Sequence, residues 1–564
     1  MGAQSLYGNA GKDLIFRFQR VSPMEVSPHD PRTLYYGSQH VHRTRDEGMT
    51  WERISPDLTA NDPAYQSKVS GEPITIDVTG EEYYSTLYAI TESRLEPGVI
   101  WAGANDGPIH VTRDGGRTWS RVTPPVPAGG RVQTIEASPH RRGAAYAAVL
   151  RYQLGDFKPY IYATGDYGRS WRLLTPGDNG LPADEPTRVV REDPARAGLL
   201  YAGTEFGAYV SFDDGRRWQP LQLNLPNVPI TDMKVHRHDV VISTQGRSFW
   251  ILDNVTPLHA IADSVQRARI AAAPAHLFRP REAVRMRYRA GFGGLEAERT
   301  ATADPQYPTA GAMIDYWVAR APSGQATLEI LDSTGTVVRS VASAGAGEGT
   351  QPVEGNMRAP AVERTGVPRL DVRPGMRRFV WDYALPGPID AQTGRPGRNG
   401  PLAVPGRYTV RLTVGGTRLE QPLVVRPDPR QLRDGITPAV LRAQLAHNLK
   451  VRDLVSETNR LAARVREART RLNGAPPGTV QRDSLRLLQE LESKLLTPPV
   501  RYSRPGLQAH VAYLYGMTTQ ADQRVPRDAT ERYAVLRREL DALQAEARRL
   551  LGPDRATAAA AATQ

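Results

Sequence analysis

The chain of 564 residues contains no cysteine. Disulfides, thiolate metal sites and a cysteine nucleophile are therefore excluded, while the compartment stays open. No apolar run approaches the roughly 18 residues of a membrane span. The first residues, MGAQSLYGNAGKDLIF, lack the basic region and apolar core of a signal peptide. HExxH, P-loop and convincing dinucleotide motifs are also missing, so we expect no cofactor. Because no long apolar run occurs, we also expect no membrane span.

Lysine is scarce as well, since it supplies only six of the 72 basic residues, and the formal net charge is +12. The arginines are spread along the whole chain and interleaved with acids. A nucleic-acid site would need a basic patch or a basic groove with aromatic side chains, and no such run occurs. We therefore expect no nucleic-acid partner. The length predicts several domains.

What the chain does contain is a repeat of the form [ST]-x-D-x-G-x-x-W. It occurs at 44–51, 112–119, 164–171 and 211–218, so successive tryptophans lie 68, 52 and 47 residues apart. Spacings of this size are typical of blades, solenoids or arrays. Each repeat carries three or four short β-type runs, such as 132–136, 144–150, 159–164 and 170–174. Four short strands per repeat predict β-propeller blades, about five of them within residues 1–255.

The repeated motif falls between the third and fourth predicted strands of each blade. Its hydroxyl and carboxylate can accept hydrogen bonds from turn N–H groups, its glycine suits a positive φ, and its tryptophan packs between sheets. A fifth unit, 240–253, keeps strands but has lost the motif. We interpret the motif as a turn clamp, formed by Asp46, Gly48, Trp51, Asp114, Gly116, Trp119, Asp166, Gly168, Trp171, Asp213, Gly215 and Trp218.

These four motifs resemble the BNR or Asp-box repeat of sialidases, xyloglucanase-like glycoside hydrolases and sortilin (VPS10) propellers. Longer stretches, such as VIWAGANDGPIHVTRDGGRTW, LLYAGTEFGAYVSFDDG and STQGRSFWILDNVTPL, resemble a bacterial family labelled "glycosyl hydrolase, BNR repeat" or sortilin-like. The resemblance implies a mainly β fold and suggests an extracytoplasmic location. Family members are usually longer, so the resemblance implies that this chain is either the C-terminal part of a larger protein, without its N-terminal propeller half, or a shortened relative.

Beyond the repeats the pattern changes three times. Residues 256–310 are predicted to be a connector, with a strand near 276–279 that closes the ring. Residues 311–427 resemble an immunoglobulin-like or fibronectin-like β-sandwich with Gly/Pro-rich loops at about 341–370 and 384–404. Helical periodicity at 441–472, 485–495 and 533–550 predicts a hairpin or small bundle within 428–555. The tail, 556–564, is expected to be disordered.

A glycosidase would need two carboxyl groups across the scissile bond. In an antiparallel meander, the turns between strands two and three lie at the opposite end from the repeated motif, where propellers commonly bind ligands. Candidates there and in the insertion at 70–90 are Asp106, Glu205, Asp77, Glu81 and Glu82 as acids, and Asn105, Tyr83, Tyr84, Gln245 and Arg247 as ligand-binding residues. The competing interpretation is that these are turn residues and that the insertion packs on a neighbouring blade.

Two histidine pairs, His40-x-His42 and His236-x-His238, have a spacing that can bind zinc. No further ligand is placed by the sequence, so we predict no metal site.

Two functions remain. The first is a propeller that binds a glycan or protein and acts as a scaffold, with the sandwich and helices as docking modules. The second is a xyloglucanase-like glycoside hydrolase. A glycosidase needs two facing acids, and the sequence places each candidate acid alone, so we favour the binding function.

Overall fold

The computed structural model describes residues 8–287, 311–343 and 369–552, apart from 70, 77–78, 80–81, 391–392, 398, 475–478 and 500. The chain divides into two compact units, Met1–Ala268 and Arg269–Gln564. The first unit contains five consecutive antiparallel sheets, and the second contains two sheets followed by helices. The prediction of a mainly β chain with many small sheets is confirmed at this level.

Each of the first four sheets is a four-stranded meander, in which the strands pair in chain order. Sheet one contains β1 (Met24–Val26), β2 (Leu34–Gly37), β3 (Val41–Thr44) and β4 (Glu52–Arg53). Sheet two contains β5 (Leu87–Glu92), β6 (Ile100–Ala104), β7 (Ile109–Thr112) and β8 (Ser120–Arg121). Sheet three contains β9 (Arg131–Ala137), β10 (Ala145–Leu150), β11 (Ile161–Thr164) and β12 (Arg172–Leu173). Sheet four contains β13 (Thr187–Glu192), β14 (Leu200–Thr204), β15 (Ala208–Ser211) and β16 (Gln219–Pro220). Sheet five has three strands, β17 (Ile230–His236), β18 (Asp239–Thr244) and β19 (Phe249–Leu252).

Consecutive sheets pack face to face. Within β10, for example, Ala147 and Val149 lie in a core shared with sheet two, whereas Tyr146 and Ala148 lie in a core shared with sheet four. Because both faces are covered, the middle strands are continuous apolar runs rather than alternating ones. Similar cores join sheets one and two and sheets four and five. Four-stranded meanders stacked in this way have the form of propeller blades.

Short helices complete the first unit. They are the 3-10 turns Gly11–Asp13 and Tyr152–Leu154, and the helices α1 (Pro63–Gln66), α2 (Thr256–Ala262) and α3 (Ser264–Ala272). Leu258 of α2 packs on the core between sheets four and five. The boundary between the units lies within α3, so the stretch predicted to be a plain connector is helical at its start.

The second unit begins with two sheets around one hydrophobic core. A three-stranded sheet has the order β20 (Ala275–Leu277), β22 (Ala312–Val318), β25 (Gly375–Trp381). A five-stranded sheet has the order β21 (Ala283–Arg285), β27 (Thr417–Pro427), β26 (Gly406–Val414), β23 (Thr327–Leu331), β24 (Val337–Ala342). Side chains of both sheets meet in the core, among them Tyr316, Trp381 and Leu412.

The strand predicted near His276 is present but does not close a ring of blades. This strand, β20, instead pairs with β22, and its residues Ala275 and Leu277 lie in the core of the second unit. This β region therefore begins at Ala275 and not at residue 311. The hairpin predicted around Gly415 and Gly416 is confirmed, since both glycines have positive φ between β26 and β27. Most of the predicted loop 341–370 and the tail 556–564 lie outside the described residues.

Five helices follow the two sheets: α4 (Pro429–Arg433), α5 (Pro438–Asn473), α6 (Thr479–Leu495), α7 (Leu507–Thr519) and α8 (Arg527–Leu551). The three long predicted helices correspond to α5, α6 and α8. Thr437 caps α5 by accepting a hydrogen bond from Val440 N, with Pro438 in its first turn. We did not predict α7, because its apolar residues surround the helix and form no stripe. Across the described part of the chain, none of the helices combines the length and apolarity that spanning a bilayer requires.

Candidate functional site

The meander topology gives the first unit two chemically different ends. The loops between second and third strands and the connections between sheets lie at one end, which we call the connection end. It comprises residues 38–40, the described part of 54–86, and 105–108, 122–130, 151–160, 174–186, 205–207, 221–229 and 245–248. The turns between third and fourth strands lie at the other end and carry the repeated motif, at 45–51, 113–119, 165–171 and 212–218. We call them the aspartate turns.

In each aspartate turn the carboxylate is held by donors of its own turn. Asp114 Oδ1 accepts hydrogen bonds from Thr112 Oγ1 at 2.8 Å and Thr118 N at 3.0 Å, and Oδ2 accepts one from Thr118 Oγ1 at 2.6 Å. Asp46 and Asp166 repeat this set, while Asp213 accepts from Ser211 Oγ and Arg217 N. Donation from the Ser170 backbone and hydroxyl lowers the pKa of Asp166 to about 2. These carboxylates thus serve to close their turns.

Asp106 is at the connection end, but its side chain points inward and the residue is only 4% exposed. Its Oδ2 accepts hydrogen bonds from the backbone N–H groups of Ala60 at 2.9 Å and Asn61 at 3.2 Å. Burial raises the pKa of its carboxyl group, and the neighbouring carboxylate that adds to this effect is Asp57. Asp106 therefore ties the loop after sheet one to sheet two.

Glu205 lies in the turn between β14 and β15 and is half-buried. Its Oε1 accepts a hydrogen bond from Arg188 Nε at 2.5 Å, within an ion pair whose side chains are 10% and 17% exposed. The guanidinium of Arg188 also lies 5.7 Å from the ring centroid of Tyr152. Glu205 belongs to sheet four and Asp106 to sheet two, so sheet three stands between these two candidate acids.

The other predicted ligand-binding residues divide into buried and exposed sets. Asn105 is 2% exposed and bonds to the backbone of Thr86 and Tyr83. Tyr83 and Tyr84 are 3% and 6% exposed, so they do not present their rings for stacking on a sugar. Gln245 and Arg247 are exposed at the connection end, in the turn before β19.

The remaining candidate acids lie in the insertion at 70–90. Glu82 is half-buried and forms an isolated β-bridge with Gln19, which ties the insertion to the segment before sheet one. The predicted candidates Asp77 and Glu81 lie outside the described residues. The described acids therefore form no facing pair of free carboxylates.

Sequence reasoning missed a set of exposed apolar side chains at the connection end. Phe157 lies in the loop between β10 and β11, Phe206 in the turn between β14 and β15, and Leu223 in the connection to sheet five. Phe249 begins β19 at the same end. Their exposed fractions are 55%, 52%, 72% and 75%, respectively. An apolar residue within an otherwise polar turn is the signal that could have found Phe157 and Phe206.

The histidine pairs have local partners. His42 Nε2 lies 2.8 Å from Ser38 Oγ, and burial lowers the pKa of this imidazole to about 4. His259 Nε2 lies 2.9 Å from Asp193 Oδ2, and its ring stacks edge-on against His238, with centroids 5.5 Å apart. Within the described ranges, no three His, Asp or Glu side chains come together in a group suited to a metal ion.

A cluster of charges joins the first strands of sheets three, four and five. Arg191 Nη2 donates to Asp232 Oδ1 at 2.7 Å, Nη1 to Glu136 Oε2 at 3.4 Å, and Nε to the Met233 carbonyl at 2.8 Å. Burial raises the pKa of Glu136, and the adjacent Arg191 charge opposes this rise. Because every nitrogen of this guanidinium is engaged within the unit, the cluster fastens the sheets to one another.

Comparisons with known proteins assign neither a family nor an activity. No family model matches the chain, and no curated protein matches it either. Solved structures with some likeness include the GH74 xyloglucanase from Xanthomonas campestris, which is 18% identical with a TM-score of 0.32, the match covering 44% of this chain and 38% of that one. The β-propeller domain of Swd1 from Myceliophteria thermophila is 15% identical, with a TM-score of 0.30 and coverage of 43% and 68%. A GH74 enzyme from Niastella koreensis is 11% identical, with a TM-score of 0.30 and coverage of 71% and 56%.

Proposed function

We propose that sheets one to five form a binding module of the β-propeller type whose connection end holds a protein ligand. The observation that carries this proposal is the exposure of Phe157, Phe206, Leu223 and Phe249, each by more than half, at the same end of successive sheets. Exposed apolar side chains that gather on one surface, especially aromatic ones, mark interaction sites. The opposite end carries the aspartate turns, whose carboxylates already accept hydrogen bonds within their own turns.

A protein is favoured over a glycan because of the chemistry around these side chains. Sugar recognition needs aromatic faces together with free hydrogen-bonding groups. At this end, Glu205 is paired with Arg188, and Asp106 and Asn105 are bonded to backbone groups. Aliphatic Leu223 at the same end as three phenylalanines instead suits apolar side chains of a polypeptide, and exposed Arg247 suits acidic groups.

The hydrolase alternative is less well supported. A glycosidase places an acid and a carboxylate about 5–9.5 Å apart across the bond that breaks. Asp106 is buried, Glu205 is ion-paired, and the two belong to sheets that are not neighbours. Among the predicted acids, a catalytic pair would therefore have to draw on Glu82, which is half-buried, or on Asp77 or Glu81, which are not among the described residues.

We further propose, from the aspartate turns, that the chain is related to BNR-repeat proteins of the sortilin-like and xyloglucanase-like kinds. The two-sheet part, interpreted from the sequence as an immunoglobulin-like sandwich, and the helices after it would then serve as docking modules. The exposure of Tyr513 and Met517 on one side of α7, at 71% and 44%, supports a docking role for the helical part.

The experiment is a binding screen with the full chain on an array of immobilised peptides and glycans. We expect ligands to be peptides with apolar residues, and the double variant Phe157→Ala/Phe206→Ala to bind them at least about tenfold more weakly, since interface aromatics commonly contribute a kcal/mol or more each. Met49→Ala is the matched control, because Met49 is 85% exposed but lies in an aspartate turn.

Two results would contradict the proposal. One is binding that the phenylalanine variant retains in full. The other is release of reducing sugar from a polysaccharide by the wild-type chain, abolished in Asp106→Asn or Glu205→Gln, which would support the hydrolase.

A further inference from the structure

Three of the four repeated tryptophans reach back to the preceding sheet. Trp119 Nε1 donates to the Ile54 carbonyl at 2.9 Å. Trp171 Nε1 donates to the Val122 carbonyl at 2.6 Å, and Trp218 Nε1 to the Leu174 carbonyl at 3.0 Å. Each acceptor is the first residue after the fourth strand of the preceding sheet. The same hydrogen bond therefore joins sheets one and two, two and three, and three and four.

The same aliphatic residue also packs on the glycine of the aspartate turn. A Cβ on Gly116 would lie 2.9 Å from Ile54 Cβ, and one on Gly168 would lie 2.6 Å from Val122 Cβ. For Gly215 the nearest atom is Leu174 Cδ1, at 2.7 Å. At three interfaces, glycine and tryptophan thus form a seat for an Ile, Val or Leu residue and its carbonyl group.

Sheet one carries the same seat without an occupant among the described residues. Trp51 and Gly48 stand at the repeated positions, yet no described residue accepts a hydrogen bond from the Trp51 indole. The three atoms nearest to a Cβ on Gly48 would all belong to the Trp51 ring, the closest at 3.7 Å, so no aliphatic residue packs as closely there as on the other three glycines. We call this place the Trp51 seat.

The surface of sheet one near the Trp51 seat is exposed at β1 and beside the aspartate turn. Met24 and Val26 of β1 are 63% and 54% exposed. A groove of about 520 Å³ runs beside the aspartate turn, lined by Val26, Pro31, Arg32, Leu34, Thr44, Arg45, Asp46 and Glu47. At β2 and β3 the sheet is covered, because Phe16 packs on His42 and Phe18 on Tyr36, with ring centroids 4.9 and 5.5 Å apart.

We propose that the Trp51 seat binds an extended segment of a partner protein. An aliphatic side chain of that segment packs over Gly48, and its backbone carbonyl accepts the hydrogen bond of the Trp51 indole. A second folded copy of this chain is not the occupant. Ile54, Val122 and Leu174 are each already engaged by the following sheet, and Leu221, the equivalent residue of sheet four, packs on the core between sheets four and five. Sheet five, which has three strands, offers no equivalent residue after a fourth strand.

The test uses the full chain labelled with 5-fluorotryptophan and a synthetic peptide that copies residues 170–177, SWRLLTPG, which contains the natural occupant Leu174. The Trp51 fluorine resonance is assigned by its loss in Trp51→Phe. We expect this resonance to shift saturably with the peptide. A matched peptide with aspartate in place of that leucine should leave it unchanged, because the seat is apolar. This comparison uses the unaltered protein, so it does not depend on the folding of a variant.

The hydrogen bond is tested by affinity. Trp51→Phe keeps an aromatic ring but lacks the indole N–H, so it should bind the leucine peptide about fivefold more weakly, the effect of one net hydrogen bond. Trp250→Phe, which alters an indole at the connection end of sheet five, should bind with unchanged affinity. A Trp51 resonance unmoved at millimolar peptide, equal binding of the aspartate peptide, or undiminished binding by Trp51→Phe would overturn the proposal.

Discussion

At the scale of single residues, the neighbours of an aspartate decide its role. Asp166 is half-buried, and both its oxygens accept hydrogen bonds within its own turn. Asp106 is buried and bonds to two backbone N–H groups of another loop. The first role could be predicted, because Thr, Asp, Gly and Trp at fixed spacing describe a turn by themselves. The second could not, since its partners lie 45 and 46 residues away.

The tyrosines of the insertion illustrate the same limit. Tyr83 donates a hydrogen bond to the carbonyl of Asn9, 74 residues away, and the ring of Tyr84 packs edge-on against Tyr65. A pair of adjacent tyrosines in a loop suggested a surface for stacking on sugars. Their burial depends on segments that local sequence patterns do not bring together.

We expect Asp166→Ala to lower the melting temperature at pH 7, by roughly 2–4 °C for a moderate destabilisation of a unit of this size. The folded-state pKa of Asp166 is lowered to about 2, below its ordinary value. Its contribution is therefore fully present above the unfolded-state pKa and is lost as the pH falls through about 2. The difference between wild type and variant should stay constant from pH 7 to about 5 and shrink between about pH 4 and 2.

Thermal unfolding followed by circular dichroism at several pH values measures this difference. Asp178→Ala is the control, because Asp178 is an exposed aspartate in the loop after sheet three. A difference for Asp166→Ala that is absent at pH 7, or that persists undiminished at pH 2, would be evidence against the turn-clamp role.

At the scale of elements, the strands of the repeats were predicted well because each is a short apolar run bounded by turn residues. The predicted runs 132–136 and 144–150 correspond to β9 and β10 within one or two residues. The fourth strands are shorter than predicted, at two residues each, although the residue after each of them still donates a backbone hydrogen bond to the third strand of its sheet. Helix α2 was missed because only a few of its residues face the core.

The tryptophans test the contacts between sheets. Trp218 is 3% exposed and donates to Leu174, so Trp218→Phe removes buried surface and a hydrogen bond. We expect this variant to lose about 2 kcal/mol of unfolding free energy. Trp51→Phe is the matched control, because Trp51 has the same place in its motif but is only half-buried, and it should lose less than about 1 kcal/mol.

Urea denaturation monitored by circular dichroism gives both values. Equal losses for the two variants would show that contact with a preceding sheet does not determine the contribution of these tryptophans. A loss for Trp51→Phe alone would contradict the described packing.

At the scale of the whole chain, the order of parts followed from the sequence: blade-like sheets, a second β region, then helices. The boundaries did not, because β20 and β21 lie in a stretch without clear periodicity and pair with strands far along the chain. The exposed side chains of the connection end were not predicted either. Phe157 and Phe206 stand out as apolar residues in their turns, but whether such a residue is buried depends on the sheets around it.

The measurement that tests the account most directly is hydrogen exchange of the full chain, free and bound to its strongest ligand from the array. We expect protection on binding at 151–160, 205–207, 221–229 and 245–249, and unchanged exchange in the aspartate turns at 45–51, 113–119, 165–171 and 212–218. Protection centred on the aspartate turns, with no change at the connection end, would contradict the account.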